Sequence, residues 1–171
     1  MRSRKGVSII EFTLAGIPAL FVIISTIEMA LAMWQYHTLG YAIKEATRAA
    51  VSHGQGCYMS GVTVGNTCAA TIGSLSTQIV NNAIGIPASE LNVVFTSASG
   101  TVIPCAPVSS CVSSIVAWPP VLNGDNLQGK SISTSGSFPV HAALAMFWPG
   151  TQGATFQALT LASSSTQQIM F

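Results

Sequence analysis

Charge is what this chain has least of. Its 171 residues include 6 Lys or Arg and 5 Asp or Glu, 6% in all, whereas a typical soluble domain is about a quarter charged. From Ala49 to Phe171, a stretch of 123 residues, only Glu90, Asp125 and Lys130 belong to that set. No basic patch exists to neutralise phosphates, which excludes nucleic acid as a partner. A net charge of +1 gives no long-range steering. Metal-ligand spacing is missing too: the four cysteines form no Cys-x-x-Cys and have no His pair beside them. His53, four residues before Cys57, is a weak exception. His37, His53 and His141 lack an orienting acidic neighbour in sequence, and none of the many serines sits in a G-x-S-x-G elbow. The expectation is a chain that is not an enzyme and takes no metal and no cofactor. Its outer region is polar through Ser, Thr, Asn and Gln, which suits a surface that packs against other proteins.

What the sequence does have is a long apolar run near its start. Arg2, Arg4, Lys5 and Gly6 come first. The run from Phe12 to Ile27 has no ionisable residue, and only Glu28 intervenes before Trp34. As a helix, Phe12 to Trp34 reaches ~35 Å, enough to cross a bilayer core with some tilt. The basic flank places the N-terminus in the cytoplasm and everything after Trp34 beyond the membrane. Glu11 breaks the apolar pattern at the cytoplasmic edge. An acidic residue at mid-helix costs about 2.5–3.5 kcal/mol, so a partner is needed. A cut after Gly6 would give Val7 a free α-amine four residues before Glu11, about one helical turn or ~6 Å along the axis. Between staggered neighbouring subunits, Glu11 of one chain could neutralise that amine of the next and set the register. Glu28, near the outer boundary, is expected to reach water or to pair with a basic group of a neighbour.

The leader RKG followed by VSIIEF, with Glu11 and Phe12 five and six places after Gly6, resembles a type IV prepilin. Pro18 inside the apolar run, Glu28 late in it and the following TLGYAIKEATRAAVSHGQ make the stretch more specifically similar to the TadE-like minor pilins of Tad (Flp) pili. The resemblance covers about the first third of the chain. It implies a pilin-like fold and a pseudopilin subunit matured by a prepilin peptidase at Gly6 and Val7. Assembly would run through Glu11 and Phe12, and the partners would be other pilin subunits, the pilus assembly platform and, through one span, the bacterial inner membrane. A type II secretion pseudopilin fits less well, because Val7 stands where those usually carry Phe.

The helix is expected from Val7 to about Val51, ~67 Å if unbroken. Pro18 removes one of its hydrogen bonds, which membrane helices tolerate. Ala15, Gly16 and Ala19 offer a small-residue face. Beyond Trp34 the pattern turns amphipathic: Tyr36, Leu39, Ile43, Ala46 and Ala50 follow three- and four-residue spacing, with Lys44, Glu45 and Arg48 on the polar side. That stripe is expected to pack on the chain's own outer domain. Trp34, Tyr36 and Tyr41 could anchor at the membrane interface. The domains read as a leader over 1–6, a membrane helix over 7–34, its amphipathic extension over 35–53, and a periplasmic or extracellular α+β domain over 54–171.

In that domain Thr67 or Thr71 could cap a second helix running to Ala83, with Ile72, Leu75, Ile79 and Ala83 on one face and Gly85 and Pro87 ending it. Glu90–Ser97 reads as a strand, Ser99-Gly100 as its turn and Thr101–Ile103 as the return. Lys130–Ser137 has strand character, Val140–Phe147 alternates as a strand covered on both faces, and Thr155–Ala162 reads as another. The Ser163–Ser165 run then separates a final Gln167–Phe171 piece. The fold class is therefore α+β, a long N-terminal helix packed on a small antiparallel sheet. Cys57, Cys68, Cys105 and Cys111 all fall on the translocated side, where disulfides are allowed. Four cysteines permit three connectivities; the local pairs Cys57 with Cys68 and Cys105 with Cys111 are preferred.

One motif misleads. Gly124–Ser131, GDNLQGKS, fits the Walker A pattern in full. It follows Pro119-Pro120 and a loop, and it precedes Ile132-Ser133-Thr134-Ser135-Gly136, which is not a helix start. It reads as a turn, with no nucleotide expected. Two other functions compete with the pilin reading. Ala30-Leu31-Ala32 fits a signal-peptidase site that would release a secreted binding protein or hydrolase, although the apolar run is too long for a signal h-region. An uncleaved single-span anchor is the other.

Overall fold

A computed structural model describes residues 7–57, 68–140 and 159–170, with side chains described from Ile10. The chain divides into two compact units, Met1–Trp34 with Val140–Leu159, and Gln35–Pro139 with Thr160–Phe171.

One helix, α1, spans Val7–Val51 and continues through Pro18. Its part in the first unit is apolar on every side. Phe12 is 79% exposed and Leu14 77%, and the helix is long and apolar enough to cross a membrane. Two of its hydroxyls are satisfied within the helix: Ser25 donates to the Phe21 carbonyl at 2.7 Å and Thr26 to that of Ile23 at 2.8 Å. Back-bonding of this kind is what lets a hydroxyl sit in lipid.

The second unit is built on the striped end of α1. Leu39, Ala42, Ile43, Ala46, Thr47 and Ala50 are fully buried, while Lys44 and Arg48 are exposed. Arg48 pairs with Glu45 at 3.8 Å on the outer side. Tyr36 and Tyr41 stay exposed. Beyond α1, β1 (Ala70–Thr71) leads into α2 (Ile72–Asn82). Thr71 is the N-cap; its hydroxyl accepts from the Ser74 N–H, and the Ser74 hydroxyl accepts from the Thr71 N–H, a closed capping box. Ile72, Leu75 and Ile79 are buried on one face, with Ala83 as C-cap.

The main sheet has the order β3-β2-β5-β6, from β2 (Asn92–Thr96), β3 (Val102–Cys105), β5 (Ser131–Val140) and β6 (Leu159–Gln168). β2 runs antiparallel to β3, with Phe95 opposite Ile103, and to β5, with Phe95 opposite Thr134. Alternation puts Val93, Phe95, Ile132, Thr134 and Phe138 inside and Val94, Ser133, Ser135 and Ser137 on the other face. The inner face meets α1 at Gly136, where a Cβ would lie 2.7 Å from Ile43 Cδ1 and 3.2 Å from Leu39 Cδ1. Only a residue without a side chain lets helix and sheet approach this closely. A second, two-stranded sheet pairs β1 with β4 (Ala117–Trp118), burying Trp118 with its ring 5.7 Å from that of Phe95. The architecture is α+β, a helix packed on an antiparallel sheet.

The expected strand boundaries need two corrections. The Ser163–Ser165 run does not separate elements: β6 passes straight through it to Gln168. Small β-tolerant residues continue a ladder as readily as they break one, because the strand needs only the alternation of faces. The strand expected over Lys130–Ser137 extends to Val140, taking in the first residue of the next expected strand. The remainder of Val140–Phe147, the start of Thr155–Ala162, Phe171, residues 58–67 and the leader lie outside the described residues.

Candidate assembly site

Gly6 precedes the described residues, and Val7 is the first residue of α1. Glu11 is exposed one turn further along, and Phe12 beside it is exposed as well. The four-residue offset from Val7 to Glu11 amounts to ~6 Å of rise. The carboxylate therefore stands on a helix surface that is otherwise apolar, with Ile10, Phe12 and Leu14 all more than half exposed. A carboxylate in such surroundings needs a cation or water within reach. Gly16 lies further along the same helix, and a Cβ there would meet nothing nearer than the Phe12 ring at 3.9 Å. Another helix could approach closely at that point. Glu28 is half-buried.

The second unit is tied by two disulfides, Cys57–Cys68 and Cys105–Cys111, with Cα–Cα distances of 5.8 and 5.7 Å. The first closes the ends of the segment 58–67. The second folds the end of β3 back through a 3₁₀ turn at Val108–Cys111, where the buried Val108 donates its N–H to the Leu91 carbonyl at 2.7 Å. Among the described residues, no group of His, Cys, Asp and Glu could hold a metal ion.

Reading the sequence missed the role of Asp125. It lies in the Walker-like stretch, which leaves a 3₁₀ turn at Leu122–Gly124 and enters strand β5, not a helix. Asp125 is buried, and its carboxylate accepts from the Ser99 N–H at 2.9 Å and from the Ser99 hydroxyl. Burial alone would raise its pKa; hydrogen bonds from Ser97 and Ser99 and the Lys130 charge outweigh that and hold the carboxyl below its ordinary value. Next to it Asn126 accepts from the Gln55 N–H at 2.9 Å, just beyond the end of α1. Asp125 thus fastens the β2–β3 turn to the loop before β5. The signal available in the sequence was one of only two acids in a nearly uncharged domain. The solvent face of the sheet also carries a shallow groove of about 240 Å³ that includes Asn92, Val94, Ser135, Ser137, Ala162 and Ser164. Hydroxyls and amides there offer hydrogen bonds but no acid, base or activated nucleophile.

Residues 6–48 match the family model of the TadE-like protein. No curated protein and no solved structure matches the chain. The matched residues run from Gly6 through Glu11 to Arg48, taking in the apolar helix and most of the buried stripe. Over that segment the chain is similar to the TadE-like protein family.

Proposed function

We propose that this protein is a minor pilin, a structural subunit of a Tad (Flp) pilus, and that its role is assembly and not catalysis. A prepilin peptidase cuts after Gly6, and the mature chain enters the pilus through α1. The family match over residues 6–48 carries this reading. An exposed Glu11 on an exposed apolar helix supports it. Gly6 serves the cut because a residue without a side chain lets the peptidase reach the backbone. Val7 then supplies the amine and Glu11 the counter-charge, so each subunit stabilises the charge that the next one buries. The basic leader keeps the N-terminus cytoplasmic and the disulfide-bonded domain outside. The other partners in this reading are neighbouring pilins and the assembly platform.

The deciding experiment is the N-terminal sequence and intact mass of the protein from native membranes. A chain beginning at Val7 is the expected result. A chain beginning at Met33 would mean release by signal peptidase, and an uncut Met1 would mean a plain anchor; either ends the pilin reading.

A further inference from the structure

The loop between α2 and β2 leaves one apolar side chain outside. Ala83 caps α2, its N–H donating to the Ile79 carbonyl at 2.8 Å, and Gly85, at a φ of 82°, turns the chain back. Ala83 and Ile86 are buried on either side of this turn, whereas Ile84 between them is 62% exposed. One exposed isoleucine is ordinary on a protein surface. What gives this one meaning is where α1 holds it.

Two hydrogen bonds fix the loop to α1. Gln35 Nε2 donates to the Gly85 carbonyl at 2.9 Å, and the Thr38 hydroxyl donates to the Ile84 carbonyl at 3.3 Å. Gln35 is the residue directly after Trp34, where the apolar run ends. Thr38 is three residues further on, ~5 Å of rise. Side chains on a helix lean toward its N-terminus, so both contacts draw the loop toward the apolar end of α1. The headgroup layer of a bilayer is ~5–7 Å deep on each side. With the hydrocarbon ending near Trp34, Ile84 and Gly85 fall within that layer. No Asp, Glu, Lys or Arg lies between Arg48 and Glu90, and Glu90 is half-buried. The loop therefore presents no fully exposed charge to oppose contact with lipid.

We propose that Ile84 enters the headgroup layer of the membrane that α1 crosses, on the side of the second unit, as a second point of attachment beside the span. The inference rests on the reading that α1 spans the membrane with the second unit outside it. A helix that is apolar all round has no preferred rotation in lipid. Rotation and tilt are set by anchors at the interface, and a contact displaced from the helix axis sets both. Tyr36, 46% exposed and next to Gln35, adds an amphipathic ring of the kind found at that level. The partner is the lipid surface itself. An isoleucine on an uncharged loop gains apolar contact at the boundary and no ionic attraction, so the contact is indifferent to headgroup charge.

The test places one fluorophore at a time on the full chain in single-copy nanodiscs of phosphatidylethanolamine and phosphatidylglycerol. The four native cysteines are already paired, so Ile84→Cys offers a single thiol for an NBD label. Two quenchers are compared, a lipid with a nitroxide near the top of its acyl chain and iodide in the water. At position 84 the emission should be lost to the nitroxide lipid and spared by iodide. Leu122→Cys is the control in water. Leu122 is 79% exposed in the 3₁₀ turn that leads to Asn126, whose carbonyl accepts from Gln55 beyond the far end of α1, and its label should be lost to iodide alone. Ile23→Cys, within the apolar run, reports the span, and its label should be spared by iodide. In each variant, native disulfides that resist alkylation before reduction report an intact fold. Iodide quenching at position 84 with position 23 spared would overturn the proposal and leave the span standing. Iodide quenching at position 23 as well would remove the span, and the proposal with it. A label at position 84 reached by neither quencher would mean that protein covers the loop, which also overturns the proposal.

Discussion

The two parts of α1 share one secondary structure and have opposite surroundings. Between Ile10 and Trp34 every described side chain is exposed or half-buried. Between Leu39 and Val51, the side chains of Leu39, Ala42, Ile43, Ala46, Thr47, Ala50 and Val51 are buried on one side, and Lys44 and Arg48 face water on the other. An unstriped apolar helix has no preferred face and needs apolar surroundings all round; a striped one needs a single partner surface. The first half therefore depends on what surrounds the protein, and the second carries its own partner in the sheet. Mutations should separate the two.

The largest effect is expected at Glu11. Removing one partner of a buried ion pair costs about 3–5 kcal/mol, so Glu11→Ala should lower pilus incorporation more than ~100-fold while leaving cleavage after Gly6 and the stability of the outer domain unchanged. Immunoblots of processed chain against sheared surface pili measure both; normal pili in this variant would remove Glu11 from the assembly role. In the second half the sensitivity reverses. Ile43 is fully buried and packs on Gly136, so Ile43→Ala should cost the outer domain about 3 kcal/mol. Ile23→Ala, at a side chain 54% exposed in the first half, should change it by less than ~0.5 kcal/mol. Urea midpoints of the full chain in detergent, followed by near-ultraviolet dichroism, give the comparison. Equal shifts would mean that the two halves are not independent.

A smaller effect separates charge from packing within the domain. Asp125 has its pKa lowered in the folded state, by hydrogen bonds from Ser97 and Ser99 and by Lys130, against the opposing effect of burial. A carboxyl whose folded pKa lies below its unfolded value contributes stability above the unfolded value, and that contribution is lost as pH falls through the folded one. The midpoint should therefore stay level from neutral pH down to about pH 5 and drop below about pH 4, around the ordinary Asp pKa. Asp125→Asn should lower the neutral midpoint and flatten the acid limb.

Much of the fold was legible because periodicity survives without charge. Of the expected stripe, Leu39, Ile43, Ala46 and Ala50 are buried while Tyr36, its first residue, is 46% exposed, and the face of Ile72, Leu75 and Ile79 is buried; three- and four-residue spacing is fixed by helix geometry. The Thr71 cap was legible from residue type, although Thr67 competed with it. The strand ends were not. In Ser131–Val140 and Leu159–Gln168, Ser and Thr occupy both faces, and alternation between two similar polar residues carries no contrast. Asp125 escaped notice because its partners Ser97 and Ser99 are 28 and 26 residues away in sequence and join it only when the hairpin closes. The proposed roles of Gly6, Val7 and Glu11 rest on a motif at fixed sequence spacing, which can be read without any tertiary contact.

The smallest effect expected is a gain. Thr134 is 1% exposed, and its hydroxyl has no hydrogen-bond partner. It faces the interior beside Phe95, its cross-strand partner, whose ring packs on Trp118. A buried hydroxyl with no partner loses its water without compensation, at about 1–3 kcal/mol. Valine has nearly the same shape and the same preference for strands. Thr134→Val should therefore raise the outer domain's stability by about 1 kcal/mol, measured as a higher urea midpoint at an unchanged slope. Ser133→Val, one residue away on the solvent face, serves as the control: it removes the acceptor of the Thr166 hydroxyl and leaves no buried group relieved, so it should gain nothing. If Thr134→Val loses stability instead, the hydroxyl is held by a bound water, and the interior beside Phe95 is a polar site within an otherwise apolar core.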